Sequence, residues 1–259
     1  MHTLQNGFLS IAGLAWATLL PAQAASVADL VRAYPEARLR IEGPALIWPD
    51  GTRMAIDDGR GGKSAEERLA DPDLKDMVLQ TYPAGAPIAT PAPDFDPGRA
   101  RNAAFFNQLY GDCRKGEVTA NLVKVAWLPS KHGQPVLFNA RHGAATRLAA
   151  VSARLDALPS TFDAYLLPTA GTYHCRPIAG TTRLSAHGHA IAIDIAVGHA
   201  HYWRWPTAGR PGVSPYANAI PAEIVAAFEA EGFIWGGRWS HYDTMHFEYR
   251  PELTPAPPR

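Results

Sequence analysis

Two stretches near the C-terminus alternate along the chain. In AIAIDIAV, residues 190–197, Ile191, Ile193, Ile195 and Val197 fall on one face, with Ala190, Ala192, Asp194 and Ala196 on the other. That period of two predicts a strand buried on its isoleucine side. MHFEYR, residues 245–250, repeats the pattern, setting Met245, Phe247 and Tyr249 against His246, Glu248 and Arg250. In PAEIVAAFEAEGF, residues 221–233, the period changes. Ile224, Val225 and Phe228 share one helical face, Pro221 stands near the first turn and Gly232 marks the stop. Two more helices are predicted, one over 97–111 closed by Gly111, the other over 142–159 with Leu148, Val151 and Leu155 at helical spacing. Residues 118–129 are strand-like and end at Pro129. Residues 41–59 alternate around Pro-Asp-Gly and Asp-Asp-Gly and predict a hairpin. The proline-rich run 82–100 is an extended link, and 160–188 has strand-and-turn chemistry. Helices with hairpin-type strands predict an α+β fold.

Composition narrows the function classes. Among 259 residues, Lys+Arg and Asp+Glu both number 24, and no basic run occurs. Electrostatic capture of nucleic acid is therefore not expected. Residues 8–20 are mostly apolar but short for a membrane span, and Ala22 and Ala24 follow in an A-x-A pattern. Residues 1–24 read as a signal peptide, although the start lacks Lys and Arg. A periplasmic or secreted protein, free of the membrane after cleavage, is expected. In such a protein the two cysteines, Cys113 and Cys175, are expected to form a disulfide worth about 4 kcal/mol.

Asp194 and His246 interrupt the strand pattern. Each puts a titratable group mid-strand, where a buried acid needs a partner. If the two strands are neighbours, both groups face one cleft, and a short turn brings His187, seven residues before Asp194, to the same place. Two imidazoles and a carboxylate can hold a tetrahedral zinc with one position open, the catalytic pattern. Zinc brings the pKa of a water to ~7, and Asp243, three residues before His246, is the candidate base. Each residue alone also has an ordinary reading. His246 can be a buried structural histidine, and Asp194 can pair with Arg183 or Arg204. His189, His199 and His201 are weaker ligand candidates. His241 and Glu248 can support the site, Glu248 by orienting His187 or His246. Trp235, Trp239, Tyr202 and Trp203 read either as a cleft wall or as core.

RLSAHGHAIAIDIA followed by GFIWGGRWSHYDTMHFEYRPEL resembles the M15-type zinc D-Ala-D-Ala carboxypeptidases and peptidoglycan L,D-endopeptidases. The pattern is Ser-x-His-x-x-Gly-x-Ala-x-Asp, then acid-x-x-His. It covers roughly 100–252, with weaker similarity reaching the upstream hairpin. The resemblance implies a small central antiparallel sheet flanked by helices, hedgehog/DD-peptidase-like, with one zinc per chain in a cleft on the sheet. His187, Asp194 and His246 match the zinc ligands, and Asp243 matches a base that is Glu in many members. Ser185 matches a substrate-binding serine. Arg176, with Arg183 as second choice, matches the arginine that polarises the scissile carbonyl. The implied substrates are peptidoglycan stem peptides, cut either by a carboxypeptidase trimming D-Ala or by an endopeptidase between L-Ala and D-Glu. A monomer is expected. Ala190 replaces the family's glycine and brings in a rival reading, a non-catalytic zinc-containing binding module. The chain then divides into a signal peptide (1–24), a hairpin-containing segment with its link (25–99), a zinc peptidase domain (100–252) and a proline-rich tail (253–259).

Overall fold

The computed structural model describes residues 25–205 and 214–254. The expected signal peptide, and the tail beyond residue 254, lie outside them. The described chain begins with α1 (Val27–Ala33), then β1 (Arg40–Glu42), β2 (Ala45–Ile47) and β3 (Arg53–Ala55). These strands form an antiparallel meander in the order β1-β2-β3, so the predicted hairpin carries an additional strand. Two short helices follow, α2 (Ala65–Ala70) and α3 (Leu74–Met77), and then α4 (Ala103–Tyr110). The predicted helix 97–111 starts late because Gly98 sits at φ 83°. Asn102 caps the helix by accepting a hydrogen bond from Phe105 N–H.

β4 (Leu122–Val125) pairs antiparallel with β5 (Val136–Asn139), a strand that no pattern along the chain marks. α5 (Ala144–Asp156) buries Leu148, Val151 and Leu155, the positions its spacing marked. α6 (Asp163–Leu166) precedes a third sheet of β6 (Ala192–Asp194), β7 (Phe233–Trp235) and β8 (His246–Tyr249), with α7 (Ala222–Glu229) in between. This sheet has the order β6-β8-β7 and is antiparallel throughout. Helices with small antiparallel sheets make the fold α+β, as expected.

Strand 190–197 is shorter than its pattern. Ala190 is left-handed, and Val197 begins a short helical turn and is exposed, so the ladder spans three residues. Ile191, Ile193 and Ile195 are nevertheless fully buried, as their alternation required. On the same side Phe247 stacks on Phe228 of α7 at 3.8 Å between ring centroids. The opposite face of β8 is covered too, and by polar groups. Glu248 and Arg250 are both fully buried there.

The proline-rich run closes over that polar face. Tyr82 Oη donates to Glu229 at 2.6 Å, and Trp239 Nε1 donates to the Pro97 carbonyl at 2.8 Å. Ser240 N–H donates to the Phe95 carbonyl at 2.7 Å. These bonds bring Asp96, Arg99 and Arg101 beside β8, a placement that no local pattern announces.

Candidate metal centre

His187 stands in a short helical turn, Ala186–His189, whose cap is Ser185. The Ser185 hydroxyl accepts the His187 N–H at 3.3 Å. The chain leaves this turn through Ala190 at φ 54°, ψ 42°. Left-handed backbone costs a residue with a Cβ roughly 1–2 kcal/mol, which explains why glycine suits the position. Alanine keeps the same turn here, and its side chain packs against Cys113 and Val118. The turn delivers the chain into β6, and cross-strand register does the rest. Asp194 lies directly opposite His246.

Three side-chain atoms converge. His187 Nε2 is 3.2 Å from His246 Nδ1, His246 Nδ1 is 2.9 Å from Asp194 Oδ1, and His187 Nε2 is 3.2 Å from Asp194 Oδ1. A tetrahedral zinc with bonds near 2.0–2.1 Å spaces its ligands ~3.3 Å apart. The triangle therefore has the size such an ion requires. The imidazoles are oriented from behind. His187 Nδ1–H donates to the Thr172 carbonyl at 2.5 Å, which leaves the Nε2 lone pair facing the triangle. His246 turns its Nε2 toward Glu248, 4.0 Å away. Of His187 and His246, Glu248 therefore backs His246. Asp194 takes neither arginine, since Arg204 donates to the Ala179 carbonyl and lies over Trp203.

The electrostatics fit a cation site. Burial opposes charge on Asp194, but His187 and His246 hold its carboxyl well below the usual range. Burial disfavours charge on His246, yet Asp194 and Glu248 together raise it to about 10. Glu248 is brought down to about 2 against its own burial by Arg101, His246 and Arg250. A divalent cation within the triangle would answer this concentration of acceptors.

Asp243 behaves differently. Burial raises its carboxyl to about 6, with His246 pulling the other way and Asp194 adding to the rise. Its Oδ1 is buried without a hydrogen-bond partner. The loop holding it is tight, for a Cβ on Gly236 would stand 2.5 Å from the Asp243 carbonyl oxygen. Asp243 N–H donates to the Gly236 carbonyl at 3.1 Å. The Gly-Gly lead-in thus fixes the carboxylate by close backbone approach.

A cleft of about 250 Å³ exposes the triangle, and Asp243, Ser185 and Arg176 line it with His187, Asp194 and His246. Arg176 is exposed at its lip, and the Ser185 N–H donates to the Arg176 carbonyl at 3.1 Å. The cysteines form a disulfide with a Cα–Cα distance of 5.7 Å, which anchors the segment next to Arg176. Arg183 lines another cavity. Arg99 and Arg101 line the same cleft, and no pattern along the chain marks either of them. The only local signal is two arginines in PGRAR, with no periodicity to aim them. Of the aromatic candidates, Tyr202 and Trp239 reach the cleft, joined by Trp205, whereas Trp235 is core. His241 lines the cleft with Nδ1 2.6 Å from Asp96. His199 packs on Tyr165, and His189 bonds the Gly111 carbonyl away from the triangle.

Two imidazole nitrogens and one carboxylate oxygen, beside the buried and unpartnered Oδ1 of Asp243, form a donor set that could hold a single metal ion. Residues 179–249 match the family model described as D-alanyl-D-alanine carboxypeptidase, which supports an M15-type peptidase family. No curated protein and no solved structure matches it.

Proposed function

We propose that this protein is a zinc-dependent peptidase that hydrolyses amide bonds in peptidoglycan stem peptides, outside the cytoplasm. The observation that carries this reading is the triangle of His187, Asp194 and His246 facing a cleft that also holds the unpartnered Asp243 oxygen. The family match supports the peptidase class and the peptidoglycan substrate. The disulfide suits an oxidising compartment. Among the described residues no helix is long and apolar enough to cross a membrane.

His187, Asp194 and His246 would hold the zinc. The ion would supply Lewis-acid chemistry, activating a water and polarising the scissile carbonyl. Asp243 accepts the proton that the attacking water gives up and passes it to the leaving amine nitrogen. Arg176, exposed at the cleft, donates to the oxygen on which charge develops. The Ser185 oxygen already takes the His187 N–H, so its own proton is available to a substrate carbonyl. Metal analysis tests the ligand set. One zinc per chain is expected in the parent, with large loss in His187→Ala and His246→Ala. Full zinc retention in both variants would remove the assignment.

A further inference from the structure

The chain between the disulfide and the turn that carries His187 folds back on itself as a flap. Pro177 bridges to Leu184, Ile178 N–H donates to the Arg183 carbonyl at 2.8 Å, and Ser185 N–H closes the base on the Arg176 carbonyl at 3.1 Å. That base is fixed. Cys175 is bonded to Cys113, and Leu184 packs on the cluster of Cys113, Val118 and Ala190. The tip, residues 178–182, is held much more lightly. Ala179 and Gly180 are exposed, and among the described residues the tip takes one hydrogen bond from another part of the chain, from Arg204 Nη1 to the Ala179 carbonyl at 2.9 Å. Gly180 makes room for that contact. It is left-handed at φ 76°, and a Cβ there would stand 3.2 Å from Arg204 Nη1. The Arg204 guanidinium also lies over the Trp203 ring, 4.6 Å from its centroid. Among the described residues no carboxylate holds it.

Arg204 therefore ties together two walls of the candidate metal cleft. Arg176, Ile178 and Ala179 line it from the flap, and Tyr202 and Trp205 line it from the segment that bears Arg204. That segment is itself bonded to the loop of Asp243. Trp203 N–H donates to the Tyr242 carbonyl at 3.0 Å, Thr244 N–H donates to the His201 carbonyl at 2.9 Å, and Tyr202 bridges to Asp243. We propose that Arg204 is a latch on this flap. Closed, it holds Arg176 over the cleft opposite Asp243; released, it lets the flap swing on its disulfide-fixed base and admit a peptide. Such a latch can open because a single hydrogen bond and a ring contact at an exposed site are each weak, whereas the base is held covalently. Arg204 is thus a positioning residue that acts through Arg176, a role that rests on the peptidase reading. Closure of a flap that completes the reacting constellation is a familiar gating step.

Two measurements on the whole, zinc-loaded chain test this. The first needs no substrate. Trypsin can cut after Arg183 only when the flap lifts and extends, so the rate of that cut reports the open population. Arg204→Ala should be nicked at Arg183 roughly 5- to 10-fold faster than the parent, the worth of about one hydrogen bond, and Arg204→Lys should fall between them. The melting temperature and the cuts elsewhere should stay as in the parent. Equal nicking at Arg183 in parent and Arg204→Ala, or faster cutting at all sites alike, overturns the latch. The second measurement is turnover of a defined stem peptide. In Arg204→Ala, kcat should fall roughly 10- to 100-fold with a smaller change in KM, the scale of a misplaced reacting group, and Arg204→Lys should recover part of it. In an Arg176→Ala background the same substitution should cost nothing further, because the group it positions is gone. An undiminished loss in that background, or an unchanged kcat in Arg204→Ala, overturns the positioning role. If the parent cuts no stem peptide, the peptidase reading falls, and nicking at Arg183 alone decides the latch.

Discussion

Asp243 is the residue on which the proposed chemistry turns. Burial raises its carboxyl to about 6, and its Oδ1 has no partner to stabilise the charged form. A base must be ionised to accept a proton. The limb of kcat/KM controlled by Asp243 should therefore be flat above about pH 7 and fall about tenfold per unit below its pKa. An ordinary aspartate would hold its activity to about pH 4. A pH profile with zinc content checked at each point measures this. Constant activity down to pH 4.5 with zinc retained would contradict the role. Single residues differed in how well the sequence exposed them. Asp194 and His246 stood out because a polar group broke an apolar strand pattern, and His187 followed from spacing and motif. Arg99 and Arg101 could not be found that way. They flank the end of the proline-rich run, before α4 begins, and the acid that Arg101 meets, Glu248, is 147 positions away.

At the level of elements, β8 organises the site. Its alternation sends Phe247 and Tyr249 into the core and His246 and Glu248 toward the metal side. Glu248 links several groups at once. It binds Arg101, lies 3.7 Å from Arg250 and backs His246. Arg250 continues the network to Glu252 at 2.5 Å, and Glu252 accepts from Tyr34 Oη at 2.6 Å. Glu248→Gln keeps the shape and removes the charge. Left with Arg101 and Arg250 under-neutralised, the variant should lose about 3–5 kcal/mol of stability in urea denaturation. Its zinc affinity should fall by roughly 10- to 100-fold, because the backing of His246 is weakened. Unchanged stability and unchanged zinc affinity would show that the network is incidental. Long periodic elements were legible. α5 and α7 bury the residues their spacing marked, and β6 and β8 form where alternation placed them. Short elements were not. β5 spans four residues behind Pro135, and its partner β4 lies across a turn-rich connection. The early stop of β6 depends on the left-handed Ala190 turn at one end and the exposed Val197 at the other, which alternation cannot encode.

Over the whole molecule, the N-terminal segment and the sheet that carries Asp194 and His246 share one core. Leu30 and Tyr34 of the first helical region join the cluster that holds Phe247 and Leu253. Sequence patterns placed Asp194 and His246 on one face of the sheet but not this long-range closure, since tertiary partners carry no local signature. The disulfide adds a covalent link across 62 positions. Replacing both cysteines by serine should lower stability by about 4 kcal/mol. Because Cys175 adjoins Arg176, turnover should fall while zinc stays bound. Calorimetry and metal analysis on the double variant check this, and an unchanged melting temperature would argue against it. The central claim is that this protein cleaves stem-peptide amides with Asp243 as base at a zinc held by His187, Asp194 and His246. The most direct measurement is mass analysis of defined muropeptides incubated with parent and Asp243→Asn at equal zinc content. The account predicts amide-cleaved products from the parent and a rate roughly 10²–10⁴-fold lower in the variant. No product from the zinc-loaded parent, or near-parent turnover by Asp243→Asn, would contradict it.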